Sequence, residues 1–420
     1  MTQEIKQRIE QIRRGEVPEG YIVENHQMRP LEWKYEKIGK HLVVHDEYSN
    51  DTEQYMLATS SRQGLLPQTD YYNDQRFDET ASGFHVVPEG YIAYRHMSDD
   101  DTFRFNVNNL GAPVLVSPEY PVFTTTVKLN QRLLIEYLNG TNEFRAFCRA
   151  QKKGSTRTRM YFNRLREFMM PIPPVPEQQK IADILATCDR VIELKQKLLD
   201  ELKKLKKVCL EKMFPQKGNS VPEIRFPGFT TPWRRNKLGE ITDSFSGGTP
   251  TVGKSEYYGG SIPFIRSAEI NSDTTELFLT EEGLRNSSAK MVKKGDILYA
   301  LYGATSGEVG VAKIDGAINQ AILDIKPHER FDSHYIMQWL RKSKESIVGT
   351  YLQGGQGNLS GTIVTSLMID CPEYNEQKRI GAFFTNLDDL ITLHQRELET
   401  YQQKKKALMQ LLLTGIARTI

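Results

Sequence analysis

The stretch PVPEQQKIADIL, residues 174–185, opens a long charged segment, and EYNEQKRIGAFF, residues 373–384, opens a second one. The Glu-Gln pair that begins at Glu177 recurs at Glu376, 199 residues later in a chain of 420. A chain that repeats one motif about half its length apart is expected to contain a duplicated structural unit.

Each of these motifs opens a predicted long helix. Residues 177–213 contain neither proline nor glycine, and strong helix formers dominate. At about 1.5 Å per residue the helix would be roughly 55 Å long, which is too long for the interior of a small domain. Pro176 suits the first helical turn, and Phe214-Pro215 supplies the stop. The second helix is predicted to begin at the N-cap residue Asn375 and to run to Thr414-Gly415.

Residues in the second segment follow the alternating gaps of four and three that are typical of a coiled coil. The predicted seam is formed by Leu387, Ile391, His394, Leu398, Tyr401, Lys405, Leu408 and Leu412 in the second segment, and by Cys188, Ile192, Lys195, Leu199, Leu202, Lys206, Cys209 and Met213 in the first. Both copies carry polar residues at the same two places, Lys195 and Lys206 in the first copy. Such residues either set the register of a helix pair or extend their charged ends from the edge of the seam. In either case the two helices are expected to pack on each other.

The repeat extends beyond the helices. Trp33 in WKYEKIGKHL matches Trp233 in WRRNKLGEIT, and VPEGYIAY (87–94) matches VKKGDILY (292–299). Short β-rich runs separated by Gly and Pro turns predict a mixed globular domain before each long helix. Because the two copies otherwise diverge there, one frame carries two different globular heads.

These features give predicted domain boundaries. The segments are an N-terminal helix and linker (1–29), a first globular domain (30–172), a first long helix (173–215), a linker (216–232), a second globular domain (233–372) and a second long helix (373–420). Ile5, Ile9 and Ile12 share one face of the N-terminal helix, which is expected to pack on the end of the last helix.

Composition excludes several classes of protein. A net charge of +2 does not point to a partner, and four cysteines without a CxxC pair support neither a zinc site nor a redox motif. The N-terminal MTQEIKQRIEQIRR lacks the apolar core of a signal peptide. Since no apolar run approaches about 18 residues, no membrane segment is expected, and the protein is predicted to be cytoplasmic.

The sequence GTPTVGKS, Gly248 to Ser255, fits the phosphate-loop pattern of nucleotide-binding enzymes. A true phosphate loop follows a buried strand and opens a helix, whereas this one lies between the polar EITDSF and the glycine- and proline-containing EYYGGSIPF. AILD, ending at Asp324, is a weak candidate for a magnesium-binding aspartate. A phosphate-loop NTPase is therefore kept only as an alternative function.

Other signs of catalysis are weak. HLVVH places His41 and His45 at zinc-binding spacing, but its β-branched pair favours a strand and no glutamate follows the first histidine. No GxSxG motif, paired-carboxylate signature or adenine-methyltransferase signature is present. Neither a metal site nor a catalytic residue is predicted in this chain.

A basic run, FRAFCRAQKKGSTRTRMYFNRLREF (144–168), contains eight Lys or Arg residues and one acid, Glu167. Basic residues interleaved with Phe, Tyr, Ser and Thr are typical of contacts to a nucleic-acid backbone. A solvated helix face is the alternative, and the shortage of acids disfavours it. The predicted DNA contacts in this run are Lys152, Lys153, Arg157, Arg159 and Arg164.

The matching place in the second half is LQGGQGNLSGT, 352–362, which has no basic residue. It offers Gln353, Gln356, Asn358 and Ser360 on a glycine-rich loop, and Gln and Asn can bind adenine bidentately in the major groove. A polar surface turn is the alternative. SSRQGLLPQTDYY (60–72), with Arg62 and Gln63, and LYGATSGEVG (301–310), with Tyr302 and Ser306, are further candidates.

The chain closely resembles the specificity subunit of type I restriction-modification systems over nearly its whole length. The resemblance lies in the two Pro-x-x-x-Glu-Gln-x-x-Ile helix openings and in IRFPGFTTPW (224–233), SGGTP (246–250), KGDILYALYGATSG (294–307), INQAI (318–322) and GGQGNLSG (354–361). The first half lacks close copies of SGGTP and GNLSG. Thr249 in SGGTP, Gln320 in INQAI, and Arg266 complete the candidate set for DNA contact.

The resemblance implies an α+β fold of two pseudo-symmetric repeats. Each repeat is a mixed target-recognition domain followed by a long helix, and the two long helices pack as an antiparallel coiled coil. Each recognition domain would read one half of a split DNA target, and the helices would fix the unread spacer. One DNA turn, roughly 34 Å, between the heads would place both on one face of the duplex.

The resemblance also implies partners. Two methyltransferase subunits would bring S-adenosylmethionine, and restriction/translocase subunits would bring ATP and magnesium, so this chain itself would be non-catalytic and hold none of these cofactors. Val191, Leu194 and Leu198, outside the helix seam, are the predicted docking face for a methyltransferase subunit. A coiled-coil scaffold that joins proteins without reading DNA remains the alternative.

Overall fold

The structure is a computed structural model that describes residues 2–24, 27–71, 83–152, 157–216, 218–352 and 358–419. It divides into two compact units. Unit 1 comprises residues 1–194 and 398–420, and unit 2 comprises residues 195–397. Each long helix therefore begins in one unit and ends in the other.

Unit 1 contains a mixed head and the N-terminal half of the first long helix. Its elements are α1 (Gln3–Arg13), β1 (Tyr21–Glu24), β2 (Gln27–Pro30), β3 (Lys34–Lys37), β4 (Leu42–His45), β5 (Tyr48–Ser49), β6 (Met56–Ser60), β7 (Leu65–Pro67), α2 (Gln68–Tyr71), β8 (Phe84–Val87), β9 (Ile92–Tyr94), β10 (Met97–Ser98), β11 (Phe105–Val107), β12 (Val114–Val116), β13 (Val122–Thr125), α3 (Gln131–Gly140), α4 (Asn142–Ala150), β14 (Thr158–Arg159), α5 (Phe162–Leu165), β15 (Met169–Ile172) and the start of α6 (Val175–Lys212). A four-stranded sheet in the order β11-β9-β13-β4 lies beside a five-stranded sheet in the order β5-β8-β12-β6-β7.

Unit 2 is also a mixed head that joins a long helix. Its elements are β16 (Arg234–Lys237), α7 (Leu238–Ile241), β17 (Thr242–Ser246), β18 (Tyr258–Ile265), β19 (Phe278–Leu279), α8 (Glu281–Arg285), β20 (Lys290–Val292), β21 (Ile297–Ala300), β22 (Val309–Val311), β23 (Gly316–Ile318), β24 (Ile322–Pro327), α9 (Ser333–Tyr351), α10 (Gly361–Thr365), β25 (Met368–Cys371) and the start of α11 (Tyr374–Leu413). Two four-stranded sheets, β17-β24-β21-β22 and β19-β18-β23-β20, form the head.

The chain enters and leaves each head through one antiparallel strand pair. In unit 1, β3 pairs with β15 so that Lys34 lies opposite Ile172. In unit 2, β16 pairs with β25 so that Arg234 lies opposite Cys371. Each head therefore begins just after a buried tryptophan, Trp33 or Trp233, and its last strand leads directly into a long helix.

The two long helices run antiparallel. Within unit 2, Lys195 of α6 binds Glu397 of α11 (Nζ–Oε2 2.6 Å), and Lys206 binds Asp388, so residue numbers rise on one helix as they fall on the other. Seam residues such as Leu199 and Leu398 are buried. The seam lysines have acidic partners on the opposite helix, which favours register setting over simple extension into solvent. The predicted α+β fold of two pseudo-symmetric repeats with an antiparallel coiled coil is confirmed.

The helix ends differ slightly from the prediction. Helix α6 spans Val175–Lys212 within the predicted 173–215. Helix α11 begins at Tyr374 rather than after an Asn375 cap, because the Glu373 carbonyl accepts hydrogen bonds from the N–H groups of residues 376 and 377. It ends at Leu413, next to the predicted stop at Thr414-Gly415, where Gly415 adopts a left-handed φ of 73°.

The N-terminal helix packs where the sequence places it. Ile5 of α1 packs against the core cluster that contains Leu412 and Leu413. Arg8 Nη1 donates to the Ile416 carbonyl (2.6 Å). No helix among the described residues is long and apolar enough to cross a membrane.

Candidate nucleic-acid interface

The repeated Glu-Gln motif fastens each head to its long helix. In unit 1 the Glu177 carboxylate, which is 1% exposed, accepts hydrogen bonds from Trp33 Nε1 (3.0 Å) and from Arg418 (2.7 and 2.9 Å). Burial alone would raise the pKa of Glu177, but the bonds from Arg418 and Trp33 lower it. Gln178 Oε1 accepts from the backbone N–H of Asn130 (2.7 Å), the N-cap of α3.

Unit 2 repeats this arrangement with different chain segments. The fully buried Glu376 accepts two hydrogen bonds from Arg225 (both 2.7 Å). Gln377 Oε1 accepts from the N–H of Asp332 (3.0 Å), the N-cap of α9. The arginine comes from the linker (216–232) in unit 2 but from the segment after α11 in unit 1.

A second matched cluster lies further along each long helix, around Asp189 of α6 and Asp388 of α11. In unit 1, Asp189 binds Lys405 (2.7 Å) and Arg132 of α3. In unit 2, the equivalent Asp388 binds Lys206 and Arg341 of α9 (2.8 Å). Each carboxylate therefore joins both long helices to the head helix that packs beside them.

These matched contacts show that the repeated Glu-Gln motif holds each head to its long helix. Two heads of different sequence are held by the same residue types at equivalent places, which leaves the head surfaces free to differ in what they bind. The repeated motif therefore has a structural role in both units.

The basic run of unit 1 is opposed by acids from another part of the chain. Strand β10 pairs with β14 so that Ser98 lies opposite Thr158, which brings the turn 99–101 beside Arg157. Arg157 Nε donates to Asp99 (2.7 Å), and Lys152 Nζ lies 3.8 Å from Asp101. The expectation that only Glu167 opposes these cations is wrong, because the opposing acids come from a neighbouring strand rather than from the run itself.

The remaining candidates of the run are placed as follows. Arg159 Nη1 lies 3.3 Å from the hydroxyl of the exposed Tyr161, whose ring stacks on His96. Arg164 lies exposed on α5. Lys153 lies outside the described residues.

A groove of about 330 Å³ opens beside the acidic turn. Arg62 and Gln63 line it, as does Asp99. Its other lining residues are Ser60, Ser61, Tyr71, Arg95, Met97, Ser98, Thr102, Phe103 and Arg104. Arg95, Arg104 and the acidic turn 99–101 were not predicted as contacts, although YRHMSDDDTFRF (94–105) carries two arginines around three consecutive aspartates.

Hydrogen bonds within the turn and from the buried Asn106 hold the turn that carries Arg62 and Gln63. It connects β6 to β7 and is closed by a hydrogen bond from Ser61 N to the Gly64 carbonyl (2.8 Å). The buried Asn106 of β11 donates to Ser60 Oγ and to the Ser61 carbonyl (both 2.8 Å). This anchoring presents the two side chains at a defined place on the head.

In unit 2 the structure brings two predicted sites together. Tyr302 forms a β-bridge with Asn358, and Leu359 N donates to the Leu301 carbonyl (3.0 Å). Residues 358 and 359 thus lie against the segment 301–310. Gln353 and Gln356 lie outside the described residues.

Three further candidates of unit 2 already have internal partners. Ser306 Oγ donates to the Leu301 carbonyl (3.3 Å), and Ser360 Oγ caps α10 by accepting from Ile363 N (3.2 Å). Arg266 binds Glu269 (2.8 Å) and Glu276 (2.7 Å). Burial opposes ionisation of Glu269, but the bond from Arg266 lowers its pKa to about 2. For these residues an internal role is visible in the structure.

The glycine-rich stretch at 246–255 is a packed turn rather than a phosphate loop. The Gly248 N–H donates to the Ile318 carbonyl (3.1 Å), and a Cβ at Gly248 would lie 1.9 Å from Ser288 Oγ. The Lys254 ammonium lies over the Tyr257 ring (4.9 Å), and only a short 3-10 turn follows. Thr249 Oγ1 is hydrogen-bonded to Gln320 Oε1, so these two candidates lie together.

The remaining predictions concern metals and partners. Among the described residues no cluster of three or more His, Cys, Asp or Glu side chains could hold a metal ion. His45 lies on β4, as the β-branched pair predicts. On α6, Leu194 is 60% and Leu198 42% exposed, whereas Val191 is partly buried.

Two mixed heads, each fastened by matched residues to the same pair of antiparallel helices, define a double-headed recognition protein. A family profile described as the type I restriction modification DNA specificity domain matches residues 106–204 and 231–402. The first match contains part of the unit 1 head and most of α6, the second contains the whole unit 2 head and most of α11, and together they span well over half of the chain. The chain belongs to this family.

Relatives and solved structures agree. The type I restriction enzyme MjaVIII specificity subunit of Methanocaldococcus jannaschii is 24% identical over 420 residues, covering 94% of this chain and 95% of the relative. The putative MjaX specificity subunit of the same organism is 26% identical over 299 residues, 69% of each chain. A crystal structure of a type I restriction-modification S subunit from M. genitalium covers 93% of this chain and 98% of its own at 14% identity, with a TM-score of 0.62. A chain from a type I R-M system studied for complex assembly and conformational transition covers 93% and 99% at 16% identity, with a TM-score of 0.52.

Proposed function

We propose that this chain is the DNA sequence-recognition subunit of a type I restriction-modification complex. The observation that carries the proposal is the double match of the specificity family to two heads that differ in sequence while sharing one frame. Two different heads recognise two different half-sites, so the target is split and asymmetric. The helices between the heads set the length of the unread spacer.

In this proposal the unit 1 head contacts DNA through its groove and basic run. Arginine and lysine side chains bind phosphates and guanine, and Gln63 is suited to adenine. The unit 2 head offers Thr249 with Gln320, and Tyr302 with Asn358, on adjoining loops. This second set is almost uncharged, so unit 2 would depend more on hydrogen bonds to bases than on phosphate contacts.

The chemistry belongs to partner subunits. Two methyltransferase subunits would supply S-adenosylmethionine and methylate adenine, and restriction/translocase subunits would supply ATP and magnesium. This chain would contribute positioning alone. Exposed leucines on both long helices support docking of two copies, since Leu194 of α6 and its equivalent Leu393 of α11 are 60% and 52% exposed.

A methylation map tests the function. This chain and its methyltransferase subunit are expressed together in a host without adenine modification, and methylated adenines are read across the genome. We expect a split, asymmetric motif that disappears when this chain is omitted. Absence of new methylation, with both subunits present and associated, would contradict the proposal and favour a scaffold that only joins proteins.

A further inference from the structure

The acidic turn 99–101 holds two arginines, namely Arg62, which lines the unit 1 groove, and Arg157, which directly precedes β14. Arg157 Nε binds Asp99 at 2.7 Å, and Arg62 Nη2 binds Asp100 at 2.5 Å. Both arginine side chains remain well exposed, at 57% and 75%. Exposed arginines normally sample many rotamers, so these ion pairs restrict where the guanidinium groups lie.

Asp100 is itself fixed on the side that faces away from Arg62. Its Oδ1 accepts hydrogen bonds from Ser98 Oγ (2.9 Å), Thr102 Oγ1 (2.5 Å) and Thr102 N (3.3 Å). The Thr102 hydroxyl bond lowers the pKa of Asp100 more than burial raises it, which keeps the carboxylate ionised. One oxygen thus anchors the side chain, and Oδ2 is left to orient Arg62.

Two other arginines of the groove have no such partner among the described residues. Arg95 directly follows β9 and Arg104 directly precedes β11, and Tyr94 pairs with Phe105, so the two cations lie at the same end of one strand pair. Neither forms an ion pair with any residue in the described part of the chain. Two adjacent unopposed cations repel each other, and an anion between them would relieve that repulsion.

The contrast separates two kinds of DNA contact. A cation already paired with a carboxylate gains little from a phosphate, because the nearby negative charge opposes the approach of the anion. Base edges are neutral, and an oriented guanidinium can still donate two parallel hydrogen bonds to guanine O6 and N7. The bond to Asp100 uses one of the five guanidinium N–H donors, so donors remain for a base.

We propose that Arg62, oriented by Asp100, reads a guanine in the half-site bound by unit 1, while Arg95 and Arg104 bind phosphates. This inference rests on the proposed function. Asp100 is then a positioning residue that determines specificity without touching the base. A lysine in place of Arg62 would keep the charge but lose the planar fork that guanine requires.

The test uses this chain assembled with its methyltransferase subunit and duplexes that carry the mapped motif with each base pair changed in turn. In Arg62→Lys and Asp100→Asn, we expect discrimination at one G·C position of one half-site to fall about 5- to 150-fold. The other half-site should be read as before, which also reports a folded complex. Glu167→Gln is the matched control for Asp100→Asn, because it removes one charge from an exposed ion pair, with Lys37, outside the groove.

Salt dependence separates the two roles. In Arg104→Ala, the plot of log affinity against log salt should become less steep by about one, because one phosphate contact is lost. The recognised motif should stay unchanged. Arg62→Lys should leave the slope unchanged and relax the motif. This inference would be overturned if Arg62→Lys and Asp100→Asn both retained the wild-type motif, or if Arg62→Lys abolished binding completely. Neither outcome would contradict the proposed function. Absence of any motif with the wild-type chain would instead contradict the proposed function itself.

Discussion

Asp324 is a buried carboxylate in the core of the unit 2 head. It is fully buried on β24, neither of its oxygens has a hydrogen-bond partner in the described structure, and Lys326 Nζ lies 3.5 Å away. Burial, with a further contribution from the neighbouring Asp296, raises the pKa of Asp324 to about 7. The folded protein therefore binds this proton more tightly than the unfolded chain does.

This shift predicts how stability depends on pH. The stabilising contribution of Asp324 is fully present below its unfolded pKa of about 4 and is lost as pH rises through about 7. The free energy of unfolding falls by as much as about 4 kcal/mol over this range, because one pKa unit corresponds to about 1.4 kcal/mol. We expect unfolding of unit 2 by urea, followed by Trp233 and Trp339 fluorescence, to require less urea at pH 8 than at pH 5. Asp324→Asn should remove most of that difference, whereas the exposed Asp273→Asn should preserve it. An unchanged pH profile in Asp324→Asn would refute the assignment.

At the level of single residues, the sequence located motifs better than roles. Glu177 and Glu376 were identified as a repeat because each opens a Glu-Gln-x-x-Ile pattern at the start of a long helix. Their roles depend on Arg418 and Arg225, which approach from distant segments and follow no local pattern. The acidic turn opposite Arg157 was missed for the same reason, because strand pairing across about 60 residues creates it.

Among the secondary-structure elements, the two long helices carry matched polar clusters in an otherwise apolar seam. Asp388 joins α11 to α6 through Lys206 and to α9 through Arg341, with a further hydrogen bond from Gln338 Nε2 (3.0 Å). Removing its charge would leave two partly buried cations without their carboxylate. Such a loss costs more than removal of a surface pair.

We therefore expect Asp388→Asn to lower the free energy of unfolding by about 2 kcal/mol. Breaking a fully buried ion pair costs roughly 3–5 kcal/mol, and the loss is smaller here because the Asp388 carboxylate is partly exposed. Asp189→Asn should cost a similar amount, since Asp189 holds the equivalent place in unit 1. The control is Asp200→Asn on α6, an exposed carboxylate that accepts a hydrogen bond from Gln196 one turn earlier on the same helix. Urea unfolding provides the measurement, and losses no larger than that of Asp200→Asn would show that these clusters do not support the seam.

The helices were the most predictable elements because their pattern is local. In α6, a heptad repeat, Pro176 in the first turn and the absence of glycine fix the type and most of the length, whereas in α11, which contains Gly381, the heptad repeat does so. The strands were predictable only as β-rich runs, since their order depends on which distant segments pair. The groove required the pairing of β10 with β14 and of β9 with β11, so no single window of sequence contains it.

On the scale of the whole molecule, each head is a replaceable part of a constant frame. The unit 2 head begins at Arg234 and ends at Cys371, and these two residues lie opposite each other in one strand pair. The residues that fasten it, Glu376 and Arg225, lie on the frame outside those limits. A head of another sequence can therefore be joined at the same strand pair without changing the helices.

This organisation predicts the result of a head exchange. Replacing residues 233–371 with the corresponding segment of a relative of different specificity should change one half of the methylated motif and leave the other half and the spacer length unchanged. The spacer is preserved because the exchanged segment contains none of α6 or α11, and the remaining half-site is preserved because unit 1 keeps its groove. Genome-wide mapping of methylated adenine gives both halves and the spacer in one measurement. The matched control exchanges residues 33–172, which should alter the opposite half. A change in both halves, or a new spacer length, from either exchange would show that the heads do not read their half-sites independently.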